Sequence, residues 1–178
     1  MYNFEKLGGL GNVGGGMAEH IFIAPKAWIT DLKTPVAPFA TPGDVITVKD
    51  AHVFAAGKGF LKFEAAPRKN TLGIKTKGDL GSNGQVSETA IFIPGNDIAA
   101  HELVRSLLNT PLIVLQPDAA LNEAGAPIVH QLGDSLQSAW FTADWESATT
   151  ESGSKGFAIK IVYDSGSLFY TPAIEEKP

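Results

Sequence analysis

The chain has no cysteine among its 178 residues, which excludes disulfide staples, thiolate-held zinc, iron–sulfur clusters and a thiol nucleophile. Its stability must come from packing and assembly. Long apolar runs are missing as well. Stretches such as Ile21-Phe22-Ile23-Ala24 and Leu112-Ile113-Val114-Leu115 fall far short of the roughly 18 to 20 residues that a bilayer-spanning helix needs. No basic segment followed by an apolar run and a small-residue cleavage site opens the sequence, so a secretory signal is not expected. Positive charge is in deficit: 14 Lys and Arg stand against 19 Asp and Glu, a formal net charge of −5 with four histidines neutral. That balance argues against a chain held to nucleic acid by phosphate neutralisation. No self-similarity at a period of about 20 to 50 residues marks a solenoid or propeller.

What is present is ordinary globular material. Hydrophobic residues make up 44% and charged residues 19%, enough for one packed core and too apolar for general disorder. The length fits one domain rather than a two-lobed enzyme. Residues 1–19 hold Gly8, Gly9, Gly11, Gly14, Gly15 and Gly16 with little apolar periodicity, and read as a flexible arm outside the core. From His20 onward, short β-rich runs alternate with Gly, Pro, Asn and Asp, so residues 20–172 read as a single mostly-β domain, with 173–178 as a C-terminal tail. Residues 156–163 put Phe157, Ile159, Ile161 and Tyr163 on one face against Ala158, Lys160 and Val162 on the other, a period of two. Residues 137–145 do likewise, with Ala139, Phe141, Ala143 and Trp145 opposed to Trp140, Thr142 and Asp144. Further strands are expected at 45–54, 59–65, 86–93, 112–116, 128–132 and 167–171.

Residues 97–109 break the pattern, placing Ala100, Leu103, Val104, Leu107 and Leu108 at helical spacing. Asn96 is the expected N-cap, Asp97 suits the positive end of the helix dipole, and Asn109 followed by Pro111 ends the segment. A helix this short needs a sheet to lie on. The expected fold is therefore two packed antiparallel β-sheets, as a sandwich or a barrel, with one flanking α-helix. Residues 66–85, glycine-rich and poor in large apolar groups, read as a long loop, which in a compact domain is usually functional. Charge is unevenly spread along the chain. Residues 55–80 carry Lys58, Lys62, Arg68, Lys69, Lys75 and Lys77 against Glu64 and Asp79, whereas residues 118–178 carry three lysines against nine carboxylates.

Several stretches imitate catalytic or binding motifs. Gly9-Leu10-Gly11-Asn12-Val13-Gly14 spells the dinucleotide fingerprint, but no buried strand precedes it and Gly15-Gly16 discourages the helix that must follow, so it reads as arm. His101-Glu102-Leu103-Val104-Arg105 begins like the zinc-protease helix with Arg105 where the second histidine belongs, and Glu102 with Arg105 reads as a solvated ion pair. His20, His52, His101 and His130 have no ligand spacing. Ser152-Gly153-Ser154-Lys155 matches S-x-x-K but lies in a polar connection between two strong strands, where a hairpin loop is expected. Asp144 and Glu146 share a strand face, as a glycosidase pair or calcium site requires and as a solvated face routinely shows. Trp28, Trp140 and Trp145 are candidates for a sugar platform, although Trp140 and Trp145 fall on opposite faces of one strand. None of these supplies a catalytic residue, metal site or cofactor.

The order of elements resembles the tail tube proteins of long-tailed bacteriophages. The likeness spans most of residues 20–172 and is carried by Ile91-Phe92-Ile93-Pro94-Gly95-Asn96-Asp97 leading into the helix and by the strand Leu112-Ile113-Val114-Leu115. Gln131-Leu132-Gly133, Ala139-Trp140-Phe141-Thr142 and Gly156-Phe157-Ala158-Ile159-Lys160-Ile161 continue it. The resemblance implies a virion structural protein with no enzymatic activity and no cofactor, whose copies close into hexameric rings. Those rings stack into a hollow tube, bind other tail proteins and pass double-stranded DNA without holding it. Such a protein is made in the host cytoplasm and resides in the virion tail. The stretch 66–85 is the counterpart of the family's ring-stacking loop, with Arg68, Lys69, Lys75 and Lys77 as its basic contacts. Asp134, Asp144 and Glu146 are the acidic candidates for the lumen or an interface. The competing readings are another virion ring, head-completion or decoration protein, an injection-machine tube subunit, a carbohydrate-binding β-sandwich using Trp28 or Trp140, and a paired-carboxylate hydrolase.

Overall fold

The computed structural model describes residues 16–41, 43–121, 125–147, 153 and 155–177. In chain order the elements are β1 (His20–Pro25), β2 (Ile29–Asp31), β3 (Thr47–Val48), β4 (Val53–Phe54), β5 (Leu61–Glu64), β6 (Thr71–Lys77) and β7 (Gly84–Pro94). These are followed by α1 (Ile98–Leu107), β8 (Leu112–Leu121), β9 (Pro127–Leu132), β10 (Trp140–Glu146), β11 (Gly156–Tyr163) and β12 (Leu168–Tyr170). Six strands form one sheet in the order β3-β12-β9-β8-β1-β5, four form a second in the order β10-β11-β7-β6, and β2 with β4 makes a two-stranded ribbon. The fold is a mostly-β sandwich with one α-helix among the described residues. Both large sheets keep free edges, so the barrel alternative does not apply.

Two apolar layers hold the sandwich. In the first, Ile21, Ile23, Leu112, Val114 and Leu132 of the six-stranded sheet meet Ile91, Phe141, Phe157, Ile159 and Ile161 of the four-stranded sheet, with Val104 and Leu107 of α1 closing the layer. In the second, the opposite face of the six-stranded sheet packs Phe22, Ala24, Ile113 and Leu115 with Val48, Phe60, Val129 and Tyr170. Alternate side chains of β1 and β8 thus enter different layers. A strand covered on both faces reads as a continuous apolar run, which is why residues 21–25 of β1 and 112–115 of β8 are buried without alternation.

The helix is placed as its stripe requires, Ala100, Leu103, Val104 and Leu107 lying against the first layer. Its N-cap is Asp97 rather than Asn96: the Asp97 carboxylate accepts from the Ala99 N–H at 3.4 Å, while the Asn96 side chain hydrogen-bonds His101 Nε2 at 2.9 Å. The helix stops where Asn109 takes φ +59°, the left-handed conformation that asparagine tolerates.

The expected loop at 66–85 is mostly a β-hairpin. β6 pairs antiparallel with β7 from Thr71↔Ala90 to Lys77↔Gly84, leaving one turn at 78–83 and another at 66–70, between β5 and β6. Leu72 alone among the β6 side chains packs on the first core layer, and Thr89 beneath it is tied to the Thr71 carbonyl and the Gln116 side chain. Polar anchoring removed the hydrophobic signal that marks a strand. The run 45–54 is likewise divided, into a 3₁₀ turn at Asp44–Ile46 followed by β3 and β4.

Both ends of the described chain are tied down. Met17 bridges Asp118, with Ala18 N–H donating to the Pro117 carbonyl at 2.9 Å. The glycine-rich stretch before Gly16 lies outside the described residues. In the tail, Phe60 N–H donates to Glu175 O and Lys177 N–H to Phe60 O, each at 2.9 Å. A Cβ on Gly59 would stand 2.7 Å from Lys177 N, so that close approach requires glycine.

Candidate assembly surface

Because α1 and the six-stranded sheet cover one side of the four-stranded sheet, its other side faces solvent. Pleating sends Trp140, Thr142, Asp144 and Glu146 of β10 to this outer face, with Ala158 and Lys160 of β11, Glu88 and Ala90 of β7, and Thr71, Gly73, Lys75 and Lys77 of β6. The two border strands, β6 and β10, are each seven residues long. Among the described residues their outward backbone groups have no partner strand.

The borders differ in charge. β6 carries Lys75 and Lys77, and β10 carries Asp144 and Glu146, all exposed. Lys75 donates to Glu88 at 2.8 Å and Lys77 to Asp164 at 3.0 Å. Glu88 also accepts Lys160 at 3.4 Å, and the two ammonium groups hold its carboxyl below the usual range. No ion pair forms at Asp144 or Glu146 among the described residues. Exposed apolar side chains accompany both borders, Ile74 and Leu80 by β6 and Trp140 on β10, with Leu80 almost fully exposed in the hairpin turn.

The other candidate residues fall elsewhere. Arg68, at φ +61°, and Lys69 occupy the turn between β5 and β6, where the Lys69 ammonium lies 4.5 Å from the Phe92 ring centroid. The four basic residues expected on one stacking loop are therefore divided between a turn and a strand. Nor do the lysines of residues 55–80 make one basic patch: Lys58 lies over Trp28 at 4.7 Å, and Lys62 pairs with Glu64. Asp134, half-buried after β9, accepts the Tyr163 hydroxyl at 2.7 Å and the backbone N–H groups of Leu136 and Gln137. It is a turn anchor. Burial and this carboxylate push the Tyr163 phenol far above its ordinary value.

The decoy motifs gain no chemistry. His101 packs edge-on to Phe157 at 4.7 Å and tilts toward Trp145, with Lys155 over the same indole at 5.7 Å. Glu102 and Arg105 do not form the expected ion pair among the described residues. The serines of S-x-x-K lie outside the described residues. Among the described residues, no three potential ligands gather as a metal site. Trp28 lies beneath Lys58 and Lys177, which leaves Trp140 as the most open indole. Asp44, which sequence reasoning passed over, is nearly buried and accepts Lys49, both the N–H and hydroxyl of Thr41, and Ala40 N–H. These contacts, Lys49 first, hold it well below the carboxylate range; the cage closes a loop rather than opening a site. No protein-family model, curated protein or solved structure matches the chain.

Proposed function

We propose that the protein is a tail tube subunit of a bacteriophage, assembling into hexameric rings that stack into a channel for the genome. The observation that carries the reading is the four-stranded sheet, with an open outer face and two open borders of equal length and opposite charge. Its four strands are antiparallel throughout, so β6 and β10 run in opposite directions. A copy rotated about an axis along the strands therefore sets its β6 antiparallel to its neighbour's β10 and continues the alternation. Such a contact is heterologous and closes into a ring. Like charges oppose β6–β6 and β10–β10 pairing, whereas Lys75 and Lys77 meet Asp144 and Glu146 in the heterologous arrangement.

Six copies would supply about 24 strands. At about 4.8 Å per strand and about 40° of tilt, the resulting cylinder has a backbone diameter of about 45 to 50 Å. The outer face becomes the lining, and the six-stranded sheet and α1 lie outside. Double-stranded DNA passes through this lumen, other tail proteins bind the ends of the tube, and the virion is its location. The protein acts by assembly, without catalysis or cofactor.

The test is a charge exchange followed by negative-stain electron microscopy. Lys75→Glu with Lys77→Glu makes both borders acidic, and Asp144→Lys with Glu146→Lys makes both basic. Each double variant is expected to lose the rings formed by the natural chain, and an equimolar mixture to recover them. Rings from either variant alone, or a natural chain that stays monomeric at high concentration, would sink the proposal.

A further inference from the structure

The centre of the outer face holds an arrangement that the tube reading does not require. Glu88 on β7 lies between Lys75 on β6 and Lys160 on β11, at 2.8 and 3.4 Å from its two carboxylate oxygens. Both lysine side chains are more than half exposed, at 69% and 53%, whereas the Glu88 side chain is at 28%. Beside them Thr71, Gly73 and Ala90 line a depression of about 210 Å³. The cross-strand partners of Glu88 are Gly73 and Val162, neither of which carries charge. Without the carboxylate, two ammonium groups would border a shallow floor of small residues, a surface suited to a phosphodiester backbone.

We propose that Glu88 silences a latent phosphate-binding face, engaging Lys75 and Lys160 so that the outer face of the four-stranded sheet does not hold nucleic acid. Exposed ion pairs of this kind add little to stability. Their consequence here is electrostatic: with Lys75 and Lys160 both engaged by Glu88, the centre of the face offers no unpaired ammonium group to a phosphate. The pairing is a property of the single chain. Its meaning, a conduit lined so that the genome slides, rests on the tube reading.

The experiment measures fluorescence anisotropy of a labelled duplex DNA of arbitrary sequence, with protein below the concentration at which particles form and salt varied from low to physiological. Glu88→Gln keeps the side-chain shape and removes the charge. It is expected to bind about tenfold tighter than the natural chain at low salt, with a salt dependence steeper by about one to two units for the two lysines released. Glu102→Gln, on the exposed side of α1, makes the same change in net charge and is expected to leave affinity unaltered. Adding Lys160→Gln to Glu88→Gln should return binding toward the natural level. No gain with Glu88→Gln, or an equal gain with Glu102→Gln, would overturn the proposal. Failure of the tube reading shows separately, as absence of rings in the natural chain.

Discussion

Strands β8 and β11 are both rich in aliphatic residues, yet they make opposite use of them. Along β8, consecutive residues Leu112, Ile113, Val114 and Leu115 are all fully buried, because each face of the six-stranded sheet has its own core layer. Along β11, Phe157, Ile159, Ile161 and Tyr163 are buried while Ala158 and Lys160 are exposed. A sheet covered twice spends both faces on stability. The sheet covered once keeps one face and two border strands open among the described residues, which is why the proposed assembly surface is placed on β6, β7, β10 and β11.

Truncating neighbouring residues provides the strongest test of that contrast. Ile113→Ala and Ile161→Ala should each cost about 2 to 5 kcal/mol, since each removes methylenes from a fully buried site. Their neighbours should diverge. Val114→Ala should still cost on the order of 1 to 2 kcal/mol, while Lys160→Ala should stay within about 0.5 kcal/mol. Urea unfolding of the four variants checks the pattern; a Lys160→Ala loss as large as that of Val114→Ala would mean that the outer face is packed rather than free.

Glycines sharpen the same contrast at a smaller scale. Gly133, at the end of β9, has φ +99°, and a Cβ there would stand 2.7 Å from the Leu112 carbonyl oxygen. Gly133→Ala should therefore cost about 2 to 3 kcal/mol through strain and overlap. Gly73, on β6, has open space around it and no positive φ. Gly73→Ala should be neutral or slightly stabilising, within about 0.5 kcal/mol, by reducing the freedom of the unfolded chain. Thermal melts of the pair separate a glycine that the backbone requires from one that merely occupies an edge.

The same division explains what the sequence disclosed. β11 and β10 were legible because one-sided burial writes a period of two, and α1 because its stripe of Ala100, Leu103, Val104 and Leu107 has nothing to compete with it. β6 was hidden: Thr71-Leu72-Gly73-Ile74-Lys75-Thr76-Lys77 commits only Leu72 to the core, and Gly73 and two lysines imitate a loop. Asp144 and Glu146 could be assigned to a common exposed face from spacing alone. The Glu88 clamp could not be read, because it joins strands 13 and 72 residues away from Glu88 in sequence. The Asp134 contact was hidden for a related reason, since the Tyr163 hydroxyl that donates to it lies 29 positions away.

Histidine gives the mildest test, confined to one pH window. His52 is 2% exposed within the second-layer side of the six-stranded sheet. Its Nδ1 accepts the Lys33 N–H at 3.1 Å, so Nε2 carries the proton and donates to the Gln131 Oε1 at 3.0 Å. The Gln131 amide in turn donates to the Gly133 carbonyl at 3.0 Å. A second proton on Nδ1 would face the Lys33 donor in a buried setting, and burial accordingly lowers the His52 pKa from its ordinary value. The neutral ring is thus the folded form, while the unfolded chain takes up a proton near pH 6.5. Stability from this group is complete above about pH 6.5 and falls as the pH drops through the lower folded value, because there the unfolded state binds more protons. His52→Gln should flatten that part of the stability curve while lowering stability at neutral pH, as the links to Lys33 and Gln131 are weakened. Denaturant midpoints from pH 5 to 8 read the effect, and an unchanged slope in His52→Gln would show that the acid sensitivity arises at another group, such as His130 of β9, whose pKa burial also lowers.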